Sequence, residues 1–492
     1  MIGSIALAQL ASGLLAMPCE RLKSVSLERA QVTGATHVAA GRFVPPAAAG
    51  PNPRVQDEPI PAHCRVTLLL QPSQDSHINA ELWLPLEGWN GKFLAVGNGG
   101  WAGRIQGYDD MQEGLRRGYA TAGTDTGHSA ADGPNGMFAL GHPEKIVDFA
   151  YRAIHDMTVK SKRLIAAFYS PPLDYAYFKG CSTGGRQALM AAQRYPGDFD
   201  GIIAGALANR HIYMHTAGVA QRIHFARHPD EAVSAEKAAL VTAAMMAQCD
   251  VLGEGFLNNP RQCSFDFSML QCNGAPTQAC LSKSELRGVE MFYGGLRNSR
   301  GELIFSGQAL GNPMRELRSD EAGQGGGFDT VRILGFQDPD YDWRDFDLDR
   351  DMPLIAGAVG FVDSVDPDLR AFEAHGGKLL LYAGWGDTGI TPENTVLYYE
   401  SVLEEMGPEQ QDWMRLFMVP GMGHCRGGDG PHTFDTITTL ERWRELDAAP
   451  EQMLGSNPAT GLTRPICPYP EYAEYHGNGD LAAAENWSCV AP

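Results

Sequence analysis

No run of eighteen unbroken apolar residues occurs in this 492-residue chain, and its most apolar window, MIGSIALAQLASGLLAMP at the N-terminus, is broken by Ser4, Gln9 and Ser12. No membrane-spanning helix is therefore expected. Basic residues are scarce: 39 Lys plus Arg stand against 59 Asp plus Glu, a formal net charge of −20. Such a surface repels phosphate backbones and anionic lipid, so neither nucleic acid nor membrane is an expected partner. None of the ten cysteines lies in a C-x-x-C pair, which argues against zinc ribbons and thioredoxin-like redox sites. There is no internal repeat. What remains is ordinary globular material, 43% hydrophobic and 20% charged, long enough for three domains or for one large α/β core carrying an insertion.

The cysteines stand at 19, 64, 181, 249, 263, 272, 280, 425, 467 and 489. Cys249 with Cys263, Cys272 with Cys280 and Cys467 with Cys489 bracket short polar segments rich in Gly, Pro and Asn, which burial alone would hold poorly. Disulfides and an oxidising compartment, secreted or periplasmic, follow as the expectation. Residues 1–18 have the small apolar character of a secretory segment without a basic start, with Ala6-Leu7-Ala8 resembling a cleavage site, and are read as a shortened export signal.

Apolar runs of strand length at Phe93 to Val96, Tyr119 to Ala122, Tyr175 to Phe178 and Ile202 to Ala204 each lead into a Gly-rich turn, the rhythm of parallel βα units. Between them, residues 144–168 carry Val147, Ala150, Tyr151, Ile154 and Thr158 at helical spacing, one apolar stripe that would cover a sheet. The rhythm resumes at Lys378 to Tyr382 and Leu416 to Val419, with a closing helix expected over 433–444. From 210 to 372 it is lost among Met245 and Met246, Cys-bracketed loops, the run Gly323 to Gly327 and the acidic DPDYDWRDFDLDRD. The expected organisation is an α/β fold with catalytic parts at 19–209 and 373–492 and a lid inserted at 210–372, because ligands of open α/β sheets bind at the carboxyl ends of the strands.

Within that frame Gly180-Cys181-Ser182-Thr183-Gly184-Gly185-Arg186 sits between a strand and a helical pattern, the context that makes G-x-S-x-G a nucleophile turn rather than a Gly-rich bend with a passive serine. Ser182 is the nucleophile candidate, and the next amide, that of Thr183, is a candidate oxyanion donor. A serine needs a base, and the base needs a carboxylate to fix its tautomer. Asp387, in GWGDTGITP, and His424, in VPGMGHC, each follow a later strand and satisfy the order Ser, Asp, His. Among 14 histidines the competitor is His128, in TDTGHS, which also follows a strand but precedes the serine. Cys181 precedes the serine and Cys425 follows the histidine, so a bridge between them would pin the two loops together; a reactive Cys181 thiol is the rival. The loop Gly97-Asn98-Gly99-Gly100-Trp101-Ala102-Gly103 lacks the Lys and Ser/Thr of a phosphate loop and is placed to supply a second oxyanion amide, from Gly100 with Gly99 next. Asp345, Asp347 and Asp349 imitate a calcium loop, but Arg350 and Ala356 stand where glycine and glutamate are required, so the segment reads as a solvated acidic turn.

Together these motifs resemble the tannase and feruloyl esterase family of α/β-hydrolases, a group that also includes mono(2-hydroxyethyl) terephthalate hydrolase. The similarity runs from Cys19-Glu20-Arg21-Leu22 through LPLEGWNGKFLAVGNGGWAG, TAGTDTGH and KGCSTGGRQALMAAQRYPGDFDGIIAG to GWGDTGITP, VPGMGHCRGG and RPICPYPEYAEYHGNGD. The resemblance implies Ser182, Asp387 and His424 as triad, Thr183 as oxyanion donor, and bridges Cys19–Cys64, Cys181–Cys425, Cys249–Cys263, Cys272–Cys280 and Cys467–Cys489. It implies a serine carboxylesterase acting on small esters of aromatic acids, hydroxycinnamates such as ferulate first, free or attached to plant polysaccharide, with gallate esters or a terephthalate monoester as alternatives. Many members bind calcium in the lid; here CDVLGEGFLNNPRQC is short and keeps little beyond Asp250 and Glu254, so no metal or other cofactor is expected. The lid segment LGNPMRELRSDEAGQGGG has no tryptophan, so substrate preference does not transfer from the family. The reading from another class is a hydrolase-fold binding protein without turnover.

Overall fold

The computed structural model describes residues 17–49, 54–317 and 326–492; all but Met17 and Pro18 of the expected export signal, and most of the run Gly323 to Gly327, lie outside them. Nine strands form one sheet: β1 (Ala30–Val38), β2 (His63–Leu70), β3 (Ile78–Pro85), β4 (Lys92–Val96), β5 (Ala120–Thr124), β6 (Tyr175–Cys181), β7 (Gly201–Gly205), β8 (Lys378–Gly384) and β9 (Met414–Val419), in the order β1-β2-β3-β5-β4-β6-β7-β8-β9. The pairings β1 with β2, β2 with β3 and β3 with β5 are antiparallel. From β5 onward the neighbours run parallel. The parallel strands are buried on both faces, every residue of β5 and β7 being inaccessible, and so they read as unbroken apolar runs.

Successive residues alternate faces. Phe93, Ile202 and Leu379 meet Phe168, Leu189 and Val396 of helices on one side, while Leu94, Ile203 and Leu380 meet Met111, Leu115, Leu440 and Trp443 on the other. The first group of helices comprises Ala153–Phe168, Thr183–Arg194 and Pro392–Met406; the second comprises Tyr108–Arg116 and Thr436–Leu446. The stripe expected over 144–168 is present but interrupted: Pro143–Val147 passes into a wider π-turn at Asp148–Arg152 before Ala153–Phe168. At that turn Asp148 is buried and takes the Arg152 Nε at 2.6 Å.

Between β7 and β8 the chain leaves the sheet and builds helices His211–Arg227, Ala235–Cys249, Lys283–Gly294 and Leu348–Val359 with one small hairpin, Leu296–Arg297 with Leu303–Phe305. This segment has its own apolar clusters, one joining Ile212, Phe328, Trp343 and Ile355 to Phe138 and Phe149, the other built on Phe225, Val241, Leu286 and Phe292. In the acidic stretch Asp347 caps the helix Leu348–Val359, accepting the Arg350 amide at 2.9 Å. The cysteines pair as Cys19–Cys64, Cys181–Cys425, Cys249–Cys263, Cys272–Cys280 and Cys467–Cys489, leaving no free thiol among the described residues. No described helix is long and apolar enough to cross a membrane.

Candidate active site

The turn after β6 is cramped by design of its sequence. A Cβ on Gly180 would lie 2.5 Å from the Gly184 carbonyl oxygen, and one on Gly185 would lie 2.3 Å from that of Gly205. Only glycine permits strand and helix to approach this closely. Ser182 is thereby held at φ 66° and ψ −122°, a left-handed conformation that a non-glycine residue adopts only when its surroundings impose it. Those surroundings include the Ser182 amide on Gly205 O at 3.0 Å and the Arg186 amide on Ser182 O at 3.1 Å. Arg186 itself is fully buried and donates to Ala150 O, Val362 O and Phe149 O, tying the helix behind the serine to the inserted segment.

Asp387 follows β8 in a tight turn and is 1% exposed. Its Oδ1 accepts the amides of Gly389 at 2.7 Å and Ile390 at 2.9 Å, and its Oδ2 accepts the Nδ1–H of His424 at 2.8 Å. The last bond fixes the tautomer and leaves Nε2 as the basic edge of the ring. The Asp387 carbonyl is held in turn by Asn312 Nδ2 at 3.2 Å, a contact from the inserted segment. His424 follows β9 with its side chain 39% exposed. Cys425, next to it, is bridged to Cys181, next to Ser182, across a separation of 244 residues with Cα atoms 5.9 Å apart. The serine, histidine and aspartate loops, far apart in sequence, thus converge at the carboxyl edge of the sheet through one covalent and one hydrogen-bonded link.

Gly100, with φ 55°, lies beside this turn. Its carbonyl accepts the Thr183 hydroxyl at 2.6 Å. Neighbouring amides of the loop are engaged, Asn98 N by Gln187 at 2.9 Å and Gly99 N by Gln106 at 2.7 Å. Among the described residues the amides of Thr183, Gly100 and Trp101 have no acceptor. Gly99, the other candidate, is engaged and so is the weaker one. His128 stands behind the same loop, 6% exposed and stacked on Phe138 at 3.7 Å, with its Nε2 on Trp101 O at 2.6 Å. Burial pushes its pKa down to about 4, and among the described residues no carboxylate bonds to either ring nitrogen. Sequence reasoning passed over Asn312, Asn98 and the Thr183 hydroxyl; their partners are backbone atoms or distant side chains that no local motif announces.

Against the Asp387 loop lies a cavity of about 140 Å³ lined by Met214, Phe292, Phe305, Gln308, Arg315 and Thr388. It adjoins Gly389, whose added Cβ would stand 3.6 Å from the His424 ring. The disulfide loop from Cys249 to Cys263, where the family resemblance implies calcium, offers no suitable donor set. Asp250 accepts the amides of Glu254 and Gly255 at 3.1 and 2.7 Å. Both Glu254 oxygens bind the fully buried guanidinium of Arg464 at 3.1 and 2.7 Å. That guanidinium also holds Asn258 Oδ1 at 2.7 Å and stacks 3.6 Å from the Trp487 ring centre. A cation already stands on the loop's carboxylate, so these residues do not fit calcium.

A mixed sheet of this order, with its turns gathered at the carboxyl ends of the parallel strands, makes the chain an α/β-hydrolase. More narrowly, the family model for tannase and feruloyl esterase matches residues 64–490, and the chain belongs to that family of carboxylic ester hydrolases. It is 35% identical to an uncharacterized esterase of Xanthomonas campestris pv. campestris, covering 96% of this chain and 91% of that one. It is 32% identical to the probable feruloyl esterase B-2 of Aspergillus fumigatus, over 87% of this chain and 86% of that one. The crystal structure of feruloyl esterase B from Aspergillus oryzae superposes with a TM-score of 0.86 at 28% identity, covering 96% of this chain and 99% of that one.

Proposed function

We propose that the protein is an exported serine carboxylesterase that hydrolyses esters of aromatic acids, with hydroxycinnamates such as ferulate as the preferred acyl group. The observation that carries this reading is the His424–Asp387 bond delivered to the Ser182 turn by the Cys181–Cys425 bridge. His424 Nε2 takes the Ser182 proton as Oγ attacks the ester carbonyl, and Asp387 steadies the imidazolium. The amides of Thr183 and Gly100 hold the tetrahedral oxyanion. His424 then protonates the departing alkoxide, and water releases the acid from the acyl-serine by the same steps in reverse.

The aromatic preference draws on the names of the feruloyl esterase relatives and on Met214, Phe292 and Phe305 in the cavity that reaches Thr388 and Gly389 of the Asp387 loop. The segment 210–372 acts as the lid, and no metal takes part. Export agrees with a chain that keeps ten cysteines in disulfides, as oxidising compartments allow. Product release from methyl ferulate, methyl gallate and mono(2-hydroxyethyl) terephthalate tests the substrate class, and no release from the first refutes it. Ser182→Ala is expected to lose ~10⁴-fold or more in kcat; an unchanged rate on an activated ester refutes the triad.

A further inference from the structure

His128, singled out by its motif and left without a part in proton transfer, has a position that gives it a different one. Three consecutive carbonyls of the loop after β4 are each gripped by a different donor. Gly99 O accepts the Ala102 amide at 3.0 Å, Gly100 O accepts the Thr183 hydroxyl at 2.6 Å, and Trp101 O accepts His128 Nε2–H at 2.6 Å. A peptide unit is planar and its N–H points away from its own C=O. Holding the Gly99 carbonyl therefore aims the Gly100 N–H, and holding the Gly100 carbonyl aims the Trp101 N–H. The grip on Trp101 O fixes the third plane, which anchors Ala102 as it closes the turn on Gly99. Between Gly97 and Gly103 the amides without an acceptor among the described residues are those of Gly100 and Trp101.

A loop containing Gly99, Gly100 and Gly103 has little intrinsic preference for one set of peptide orientations, so the order comes from these donors. The TDTGH turn is built as their abutment. Asp125 clamps Gly127 N at 2.8 Å and Asn79 N at 3.0 Å, and Asp125 O receives Gly103 N at 3.1 Å. The His128 ring stacks on Phe138 and would stand 3.2 Å from a Cβ on Gly103. Burial keeps it neutral, and a ring facing a carbonyl carries its proton on Nε2. The clamp is thus uncharged and costs no ion desolvation.

We propose that the His128 imidazole and the Thr183 hydroxyl are positioning groups that preset the Gly100 loop for an oxyanion, Thr183 serving the site by side chain as well as by amide. This rests on the esterase reading above. It gives the position-128 histidine a specific reason to be there, since phenylalanine fills the same space without the bond and glutamine restores a donor.

The test is steady-state hydrolysis of a 4-nitrophenyl ester by Thr183→Val, His128→Phe and His128→Gln, together with inhibition by an aryl trifluoromethyl ketone and by the product acid. Thr183→Val and His128→Phe are each expected to lower kcat about 10- to 100-fold, somewhat less than removal of a whole oxyanion donor, with KM changed less than threefold. Ketone inhibition weakens in parallel while product-acid inhibition holds, and His128→Gln recovers to within about fivefold of the parent. Thr183→Val removes only a hydroxyl and carries the test if His128→Phe folds poorly. Wild-type kcat in Thr183→Val, or a His128→Phe loss that glutamine does not recover, overturns the clamp. Persistent turnover in Ser182→Ala overturns instead the esterase reading beneath it.

Discussion

Removing the bridge beside the serine, as Cys181→Ala with Cys425→Ala, separates two effects of one bond. The bridge closes a loop of 244 residues, for which chain-entropy arithmetic gives an upper stabilisation of about 5 kcal/mol. The Cys249–Cys263 and Cys272–Cys280 bridges lie inside that loop, but the dependence is logarithmic and they shift the figure little. A chain this long unfolds with an entropy on the order of 1 kcal/mol per kelvin, so the melting temperature should fall by only about 5 °C. The catalytic effect is expected to be larger, because the bonded cysteines are the immediate neighbours of Ser182 and His424, and a displacement of about 1 Å between reacting groups costs ~10²-fold in rate. The Cys467→Ala, Cys489→Ala pair is the control: its loop of 22 residues predicts about 3 kcal/mol and no change in kcat. Calorimetry gives the stability terms, and hydrolysis of a 4-nitrophenyl ester at 25 °C gives the rates. If the first variant keeps kcat within threefold of the parent while losing the predicted stability, the bridge is a structural staple and the argument for loop registration is wrong.

Replacing Asp387 by Asn keeps the two amide contacts but turns an NH₂ toward His424 Nδ1, forcing the other tautomer; kcat should drop ~10⁴-fold, and a loss below tenfold on the same ester would count against the aspartate. Arg464→Met strands the Glu254 carboxylate, which has 8% exposure, and should cost about 3 to 5 kcal/mol in urea unfolding. Adding Glu254→Gln should restore part of that, and equal destabilisation by single and double variants contradicts the pairing. With the loop cation supplied by arginine, melting temperature and activity are expected to be the same in EDTA and in calcium chloride; a melting temperature raised by calcium refutes this. His128 has its pKa lowered from 6.5 to about 4, so the folded state holds fewer protons than the unfolded one, and the group's contribution is lost as pH falls from 6.5 through about 4, up to about 3 kcal/mol. Asp125 opposes it: its pKa, raised by burial from 3.8 to about 6, makes the fold take up protons and gain stability over the same descent. The comparison of His128→Phe with the parent isolates the imidazole, and the gap should move in favour of the variant by about 3 kcal/mol between pH 7 and pH 4; parallel unfolding curves at the two pH values contradict the burial argument.

The parallel half of the sheet was readable because strands such as Gly201–Gly205 and Lys378–Gly384 are enclosed on both faces and leave continuous apolar runs. The antiparallel arm, Ala30 to Pro85, was not. Its strands carry polar residues such as Gln31, Thr33, Thr67 and Glu81 among apolar ones, and the Arg65–Glu81 pair at 2.9 Å forms only across the ladder. Ser182, Asp387 and His424 announced themselves because each follows a buried strand within a few residues, so position along the chain encodes position at the edge of the sheet. The Glu254–Arg464 pair and the His128 contact with Trp101 O carry no such code. One joins groups 210 residues apart, and the other uses a backbone carbonyl that every residue possesses.

The inserted segment is fastened to the turns that carry Asp387 and Ser182. Asn312 holds the carbonyl of Asp387, and Arg186, four residues beyond Ser182, holds that of Val362. Exchanging this region between relatives to change what they cleave is therefore more than a swap of pocket walls. A graft that brings new walls without an amide at position 312 and a carbonyl facing Arg186 would loosen the Asp387 loop and the helix after Ser182 together, and its loss of turnover would masquerade as poor substrate choice.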